Sequence, residues 1–216
     1  MIDFAKARRN MVDCQVRPAD VTHRDVLAAM DTVERERFLP DAARPVAYLD
    51  REVDVGEGRL LLTPMLLARL VQALDVKKTD RVLDVACGLG YSTAILAELA
   101  GEAVGVDSAS ALVAQASARL GAAGVTNARI VASPLDKPPA GASFDAILVN
   151  GAVETIPQAW MDALADGGRL ACVRGSGRAA RAVLRTRNGA TYGERVLFDA
   201  AAPVLRELAA KPEFAF

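Results

Sequence analysis

The sequence predicts an α/β protein: an open, mostly parallel sheet with helices on both faces and antiparallel strands at its carboxyl-terminal end. Three observations predict it. Short apolar runs recur along the second half of the chain: RVLDVA, EAVGVD, ARIVAS, FDAILVN and RLACVR. Stretches with helical spacing alternate with them: STAILAELA, SALVAQASARLGAAG and IPQAWMDALADGG. Continuous apolar strands separated by helices make βαβ units, whose parallel sheet is covered on both faces. The tail AVLRTRNGATYGERVLFDA then places Asn188-Gly189 between two strand-like runs. That dipeptide is a hairpin signal, so the last strands are predicted to be antiparallel.

The elements before the sheet read as helical. VTHRDVLAAMDTV offers Thr22 as an N-cap, with Asp25 three residues on, and Val26, Leu27, Met30 and Val33 at helical spacing. An irregular segment rich in proline and glycine follows, with room for a short strand pair. TPMLLARLVQAL has Thr63 at the cap and Pro64 at the first helical position, where a missing N–H costs nothing. Residues 1–75 are therefore expected to form a helical extension packed on a core of residues 76–216, the two making one compact unit.

With 216 residues, 52% of them hydrophobic, the chain suits one domain with a sizeable core. The net charge is -1, which gives no sign of the basic face a nucleic-acid binder shows. Arg174, Arg178, Arg181, Arg185 and Arg187 read as a solvated face. Three cysteines without a CxxC, and a single histidine, argue against a disulfide framework or a structural zinc site. His23 reads as a surface or capping residue, and Cys87 as a small loop residue rather than a nucleophile. The amino terminus lacks the apolar stretch of a signal peptide, and no run approaches the ~20 apolar residues of a membrane helix. The cytoplasm is the expected location.

VLDVACGLGYSTAILAELAGEAVGVD, residues 82–107, carries the chemistry. Ala86, Gly88 and Gly90 let the backbone approach a ligand, and the following helix offers free N–H groups. A dinucleotide site requires G-x-G-x-x-G/A. Counted from Ala86 the third position is Tyr91, and counted from Gly88 it is Thr93, so both registers fail. S-adenosylmethionine suits the stretch better. Asp84 can meet the ammonium of its methionine moiety, directly or through water. Asp107, 19 residues after Gly88, can accept both ribose hydroxyls. Acidic-x-small-x-Gly-x-Gly is the usual first motif of class I methyltransferases. Ser108 and Asn150 complete this set of candidate cofactor contacts.

The chain resembles the protein-L-isoaspartate O-methyltransferases, as a divergent bacterial branch. VLAAMDTVERERFLP is similar to the family's amino-terminal helix and V-x-R-E-x-F-x-P segment. LLTPMLLARLVQAL stands at its I-S-Q-P turn, VLDVACGLGYSTAILA at its first motif, FDAILVNGAVETIP at its fourth-strand motif and DGGRL at the turn into strand five. The resemblance implies a Rossmann-like class I methyltransferase sheet with an altered order of the last strands. It implies methyl transfer from S-adenosylmethionine to the free carboxylate of an isoaspartyl residue in a damaged protein or peptide. That carboxylate, with a pKa near ~4, is ionised at neutral pH and needs no general base. Alignment and exclusion of water are then the enzyme's main tasks.

Three departures bear on the site. The I-S-Q-P turn reads Leu61, Leu62, Thr63 and Pro64, so the family's serine is absent, and the preceding G-Q-T reads Gly58, Arg59 and Leu60. The G-D-G after strand three reads Ala132, Ser133 and Pro134. Ser133 and backbone groups near Leu135 would then serve the adenine. The first glycine of motif one is Ala86. Thr63 and Arg59 are the candidates for the substrate side, Arg59 because a guanidinium pairs well with a carboxylate. Two alternatives stand beside isoaspartyl transfer: a methyltransferase for a small or apolar acceptor, and a non-catalytic homologue that only binds the cofactor or its product. Oligomeric state and acceptor are not legible. The aromatics of the final KPEFAF are expected to pack on the body.

Overall fold

The computed structural model describes residues 2–209. The KPEFAF tail lies outside them. Seven strands form one sheet: β3 (Arg81–Val85), β4 (Glu102–Asp107), β5 (Ala128–Ala132), β6 (Phe144–Val153), β7 (Leu164–Arg174), β8 (Arg181–Asn188) and β9 (Thr191–Asp199). Their spatial order is β5-β4-β3-β6-β7-β8-β9. The first five are parallel, and β8 and β9 complete the sheet with antiparallel pairings. The last three strands thus follow one another in chain order. A separate hairpin, β1 (Val53–Gly56) and β2 (Arg59–Leu61), precedes them.

The alternation of side chains along the strands divides the interior in two. Val82, Ala103, Ala146, Leu148, Ala171 and Ala182 face one side. These mostly small residues let α3 (Pro64–Leu74) and α4 (Tyr91–Leu99) lie close to the sheet. Met11, Val16, Val26, Met30 and Phe38 join this same core, so α2 (Arg24–Thr32) packs directly on α3 and α4, and α1 (Phe4–Met11) packs on α2. Leu83, Val85, Val104, Val106, Ile147 and Val149 face the other side, against Trp160, Met161 and Leu164. The Trp160 indole donates to the Leu135 carbonyl at 2.7 Å and so fixes the loop after β5. Burial on both faces explains why these strands read as unbroken apolar runs.

Two local expectations change. The helix predicted after Thr22 begins at Arg24, with His23 at its cap position and no side-chain cap of its own. The side-chain oxygen of Gln72 in α3 accepts from Thr22 N at 2.7 Å and His23 N at 2.9 Å instead. A cap from about fifty residues away carries no local signature. The helix read over IPQAWMDALADGG is confined to α6 (Gln158–Asp162), and β7 is already under way at Leu164. Gly167 adopts a left-handed φ of 76°, which ends any helical path there. Thr63 caps α3 as expected, its hydroxyl accepting from Leu66 N at 3.2 Å. Arg174, Arg181 and Arg185 lie in the antiparallel part of the sheet, paired with Glu194 or Asp199.

Beyond β9 the chain runs as a strap across the end of β6. Ala152 N donates to Pro203 O at 2.7 Å and Leu205 N to Ala152 O at 3.0 Å. Leu205 is buried on Gly151, where an added Cβ would lie 2.7 Å from the leucine side chain. Gly151→Ala is therefore expected to push the strap off β6. Overpacking of this kind costs about 1–3 kcal/mol, or a fall in Tm of roughly 2–12 °C by scanning calorimetry. An unchanged Tm would mean that the strap contributes nothing to the packed state.

Candidate cofactor site

The site lies at the carboxyl-terminal ends of β3, β4 and β6, where the order of the strands turns back. Asp84 sits next to last in β3, opposite Gly105 of β4 and Leu148 of β6. Its carboxylate is fully buried. Oδ2 accepts from Ser92 Oγ at 2.7 Å and Thr93 Oγ1 at 2.5 Å, and Oδ1 from Asn150 Nδ2 at 2.7 Å. Burial raises the Asp84 pKa to about 6, against the lowering effect of the Thr93, Ser92 and Asn150 hydrogen bonds. Asn150 also donates to Val85 O at 3.0 Å, while its own Oδ1 is buried with no donor among the described residues. The site thus holds an unmet acceptor beside a buried carboxylate, a combination suited to a cation that donates hydrogen bonds.

The turn from β3 into α4 runs through the small residues read from the sequence. Ala86, Gly88 and Gly90 have φ of 57°, 56° and 90°. All three are left-handed, and alanine is strained there by about 1–2 kcal/mol where glycine would not be. That strain is the physical content of the departure at Ala86. The turn is tied to Asp107, the last residue of β4. Asp107 Oδ2 accepts from Gly88 N at 3.0 Å, and Oδ1 from Ala109 N at 3.2 Å. Cys87 is buried in this turn and burial pushes its thiol well up, consistent with a packing residue.

Arg59 reaches the same carboxylate from the hairpin. Its Nε lies 3.1 Å from Asp107 Oδ2, and its Nη2 lies 2.9 Å from Ser108 Oγ and 2.8 Å from Glu207 Oε2. Ser108 Oγ in turn donates to Glu207 Oε1 at 2.7 Å. The guanidinium is buried, and the acid groups beside it raise its pKa against the opposing effect of burial. The Arg59–Glu207 bridge divides the crevice. On the β5 side an open cavity of about 430 Å³ is lined by Ser108, Ser133, Pro134, Leu135, Glu207 and Leu208. On the side of the glycine turn only about 10 Å³ remains, among Phe38, Val55, Leu61, Ala86, Tyr91 and Asn150. Ser133 Oγ is occupied by the Lys137 carbonyl at 2.9 Å, and Ser133 N donates to Asp107 O at 3.1 Å.

The structure thus gathers Asp84, Ala86, Gly88, Gly90, Asp107, Ser108, Ser133, Leu135, Asn150 and Arg59 around one crevice. The Thr63 hydroxyl points into the first turn of α3. Leu62, at the position of the family's serine, is fully buried, and its carbonyl accepts from Arg35 Nη2 at 2.8 Å. Arg35 also donates to Ala47 O at 2.8 Å and lies over the Tyr91 ring, bracing the turn. Sequence reasoning missed Ser92, Thr93, Glu207 and Arg35. Two adjacent hydroxyl residues opening the helix after an acidic strand end are a usable signal for the first pair. Glu207 has none, being 148 positions from Arg59. His23 lies 3.7 Å from Asp75, on the amino-terminal side of α2. Among the described residues no group of three or more His, Cys, Asp or Glu could hold a metal ion, and no helix is long and apolar enough to cross a membrane.

A parallel sheet that turns back at β3, with carboxylates at neighbouring strand tips and a left-handed small-residue turn between them, has the architecture of the class I methyltransferases. Residues 7–197 match the family model described as protein-L-isoaspartate(D-aspartate) O-methyltransferase, and the chain belongs to that family. It is 36% identical over 183 residues to protein-L-isoaspartate O-methyltransferase 1 of Rhodopseudomonas palustris (strain HaA2), covering 84% of this chain and 75% of the relative. It is 38% identical over 187 residues to the protein-L-isoaspartate O-methyltransferase of Roseiflexus sp. (strain RS-1), covering 86% and 85%. Among solved structures it is similar to an isoaspartate methyltransferase of Plasmodium falciparum in complex with S-adenosyl-L-homocysteine. The TM-score is 0.77 at 20% identity, covering 93% of this chain and 98% of that one. At that identity the likeness concerns the fold.

Proposed function

We propose that the protein is an S-adenosylmethionine-dependent O-methyltransferase that esterifies the free carboxylate of isoaspartyl residues in damaged proteins and peptides. The observation that carries this, in a member of the family, is the acceptor set at the strand tips: Asp84 with the unmet Asn150 Oδ1, and Asp107 across the glycine turn. S-adenosylmethionine supplies a methyl group already activated on a sulfonium. The residues present fit its charged and hydrogen-bonding groups. Asp84 and Asn150 would take its ammonium end, Asp107 its ribose, and the cavity between Ser108 and Leu135 its adenine. The acceptor carboxylate is ionised at neutral pH, so the chain needs no general base. Its work is to orient two reactants and to keep water out, which the apolar wall of Phe38, Val55, Leu61 and Tyr91 suits. We assign Thr63, in the turn that replaces the family's serine, to the acceptor side; Arg59, the other candidate there, is held by Asp107, Ser108 and Glu207. We further propose the cytoplasm as the protein's location, where damaged proteins of the cell would be its acceptors.

The test is incubation with methyl-labelled S-adenosylmethionine and an isoaspartyl peptide. Base-labile methyl ester is expected on that peptide and not on its normal aspartyl counterpart; equal labelling of the two would remove the substrate assignment. One observation favours a second acceptor class. Leu62 is buried at the serine position and Leu60 and Leu61 line the crevice, as an apolar acceptor would require. A small apolar acceptor that outcompetes the isoaspartyl peptide in the same assay would select that reading.

A further inference from the structure

We propose that Arg59 is a built-in competitor for the cofactor's ribose, and that its exchange between Asp107 and Glu207 sets the affinity for the adenosyl ligand. The inference rests on the proposed function, because it takes Asp107 as the ribose acceptor. Each carboxylate oxygen has about two lone-pair sites. On Asp107, Oδ2 already accepts from Gly88 N and from Arg59 Nε, and Oδ1 from Ala109 N. One site remains, and a ribose diol brings two hydroxyls. The Gly88 and Ala109 donors are backbone groups of the turn and of the segment leading into α5 (Ser110–Ala122), fixed by the fold. Arg59 is the only one of the three that can leave by side-chain rotation.

Its departure leaves the guanidinium paired, and the ribose hydroxyls would take its place on Asp107. Glu207 holds Nη2 through both oxygens, at 2.8 and 3.1 Å, and Ser108 Oγ joins the two. Glu207 is itself 45% exposed and belongs to the strap, so it has room to follow the guanidinium outward. Arg59 stands on a hairpin paired only with itself, whose turn Gly56-Glu57-Gly58 is left-handed at all three residues. The guanidinium therefore has one partner that the ligand needs and one that it does not. With glutamine in its place, the competition for Asp107 loses its charge.

Calorimetric titration with S-adenosylhomocysteine tests this without turnover. Arg59→Gln is expected to lower the Kd about tenfold, the scale of one hydrogen bond to a charged group. In the methylation assay the same variant is expected to lower KM for S-adenosylmethionine more than it changes kcat. Glu207→Gln removes the second partner, ties Arg59 to Asp107 and is expected to raise the Kd several-fold. In the Arg59→Gln background the effect of Glu207→Gln should be largely lost. A purely structural role for the strap would persist there, so equal effects of Glu207→Gln in both backgrounds overturn the exchange. A Kd for Arg59→Gln equal to or above that of the wild type, in a variant with native circular dichroism and Tm, also overturns it. If neither wild type nor Arg59→Gln binds, the adenosyl site itself is wrong and the inference falls with it. Binding by Arg59→Gln alone supports the competitor in its strongest form.

Discussion

Asp107→Ala is expected to abolish binding of S-adenosylhomocysteine, with a loss of more than a hundredfold by calorimetry, and to destabilise the fold at the same time. The carboxylate is fully buried and gathers the glycine turn, the start of α5 and Arg59 at one point. Its removal leaves the Gly88 and Ala109 N–H groups without their acceptor and takes one counter-ion from a buried guanidinium. Breaking a buried pair by deleting one partner costs about 3–5 kcal/mol. Glu207 retains Arg59, so the lower end of that range applies, roughly 6–12 °C in Tm for a chain of this size. A variant that still binds with wild-type Kd would show that the ribose is held elsewhere.

Asp84→Asn is expected to move stability and binding in opposite directions. Burial raises the Asp84 pKa to about 6, above the ordinary carboxylate value of the unfolded chain. The folded state therefore holds the proton more tightly. The stability contributed by Asp84 is complete below pH ~4 and is lost as the pH rises through about 6. Above that pH the buried charge costs about 2–3 kcal/mol. Asparagine is neutral throughout, and its amide can serve Asn150, Ser92 and Thr93. The variant should melt roughly 4–10 °C above the wild type at pH 8, the gap closing by pH 4. Its affinity for S-adenosylhomocysteine should fall at least tenfold, and the wild type's affinity should decline below pH 6 while the variant's does not. A variant that melts lower at pH 8 would mean that hydrogen bonds outweigh burial at this carboxylate.

Much of the architecture was legible because it is written with short periods. The runs RVLDVA and EAVGVD are continuous since each strand is buried on both faces. Thr63-Pro64 opens α3 by local chemistry alone. Asp84, the 86–90 turn and Asp107 were legible for the same reason: two acidic strand ends and a small-residue turn fall within 26 residues. What escaped depends on contacts between distant segments. The Gln72 cap on α2, the Arg35 brace under Leu62 and the Glu207 partner of Arg59 each join residues that local pattern cannot relate. Arg59 was legible as a cation near the acceptor turn. Its reach to Asp107 was not, because the direction of a side chain on a two-stranded hairpin depends on how that hairpin lies over the sheet.

The strap has a consequence for synthesis. Residues 59, 107 and 207 meet at one corner, and Leu205 fastens the corner to the end of β6. All nine strands of the described residues lie within the first 199 positions, so each is synthesised before Glu207. The strands and the acidic floor of the crevice therefore all precede in the chain the residue that bars it. Of the guanidinium's two carboxylate partners, Asp107 precedes Glu207 in the chain, so the second tether is the later one to be made.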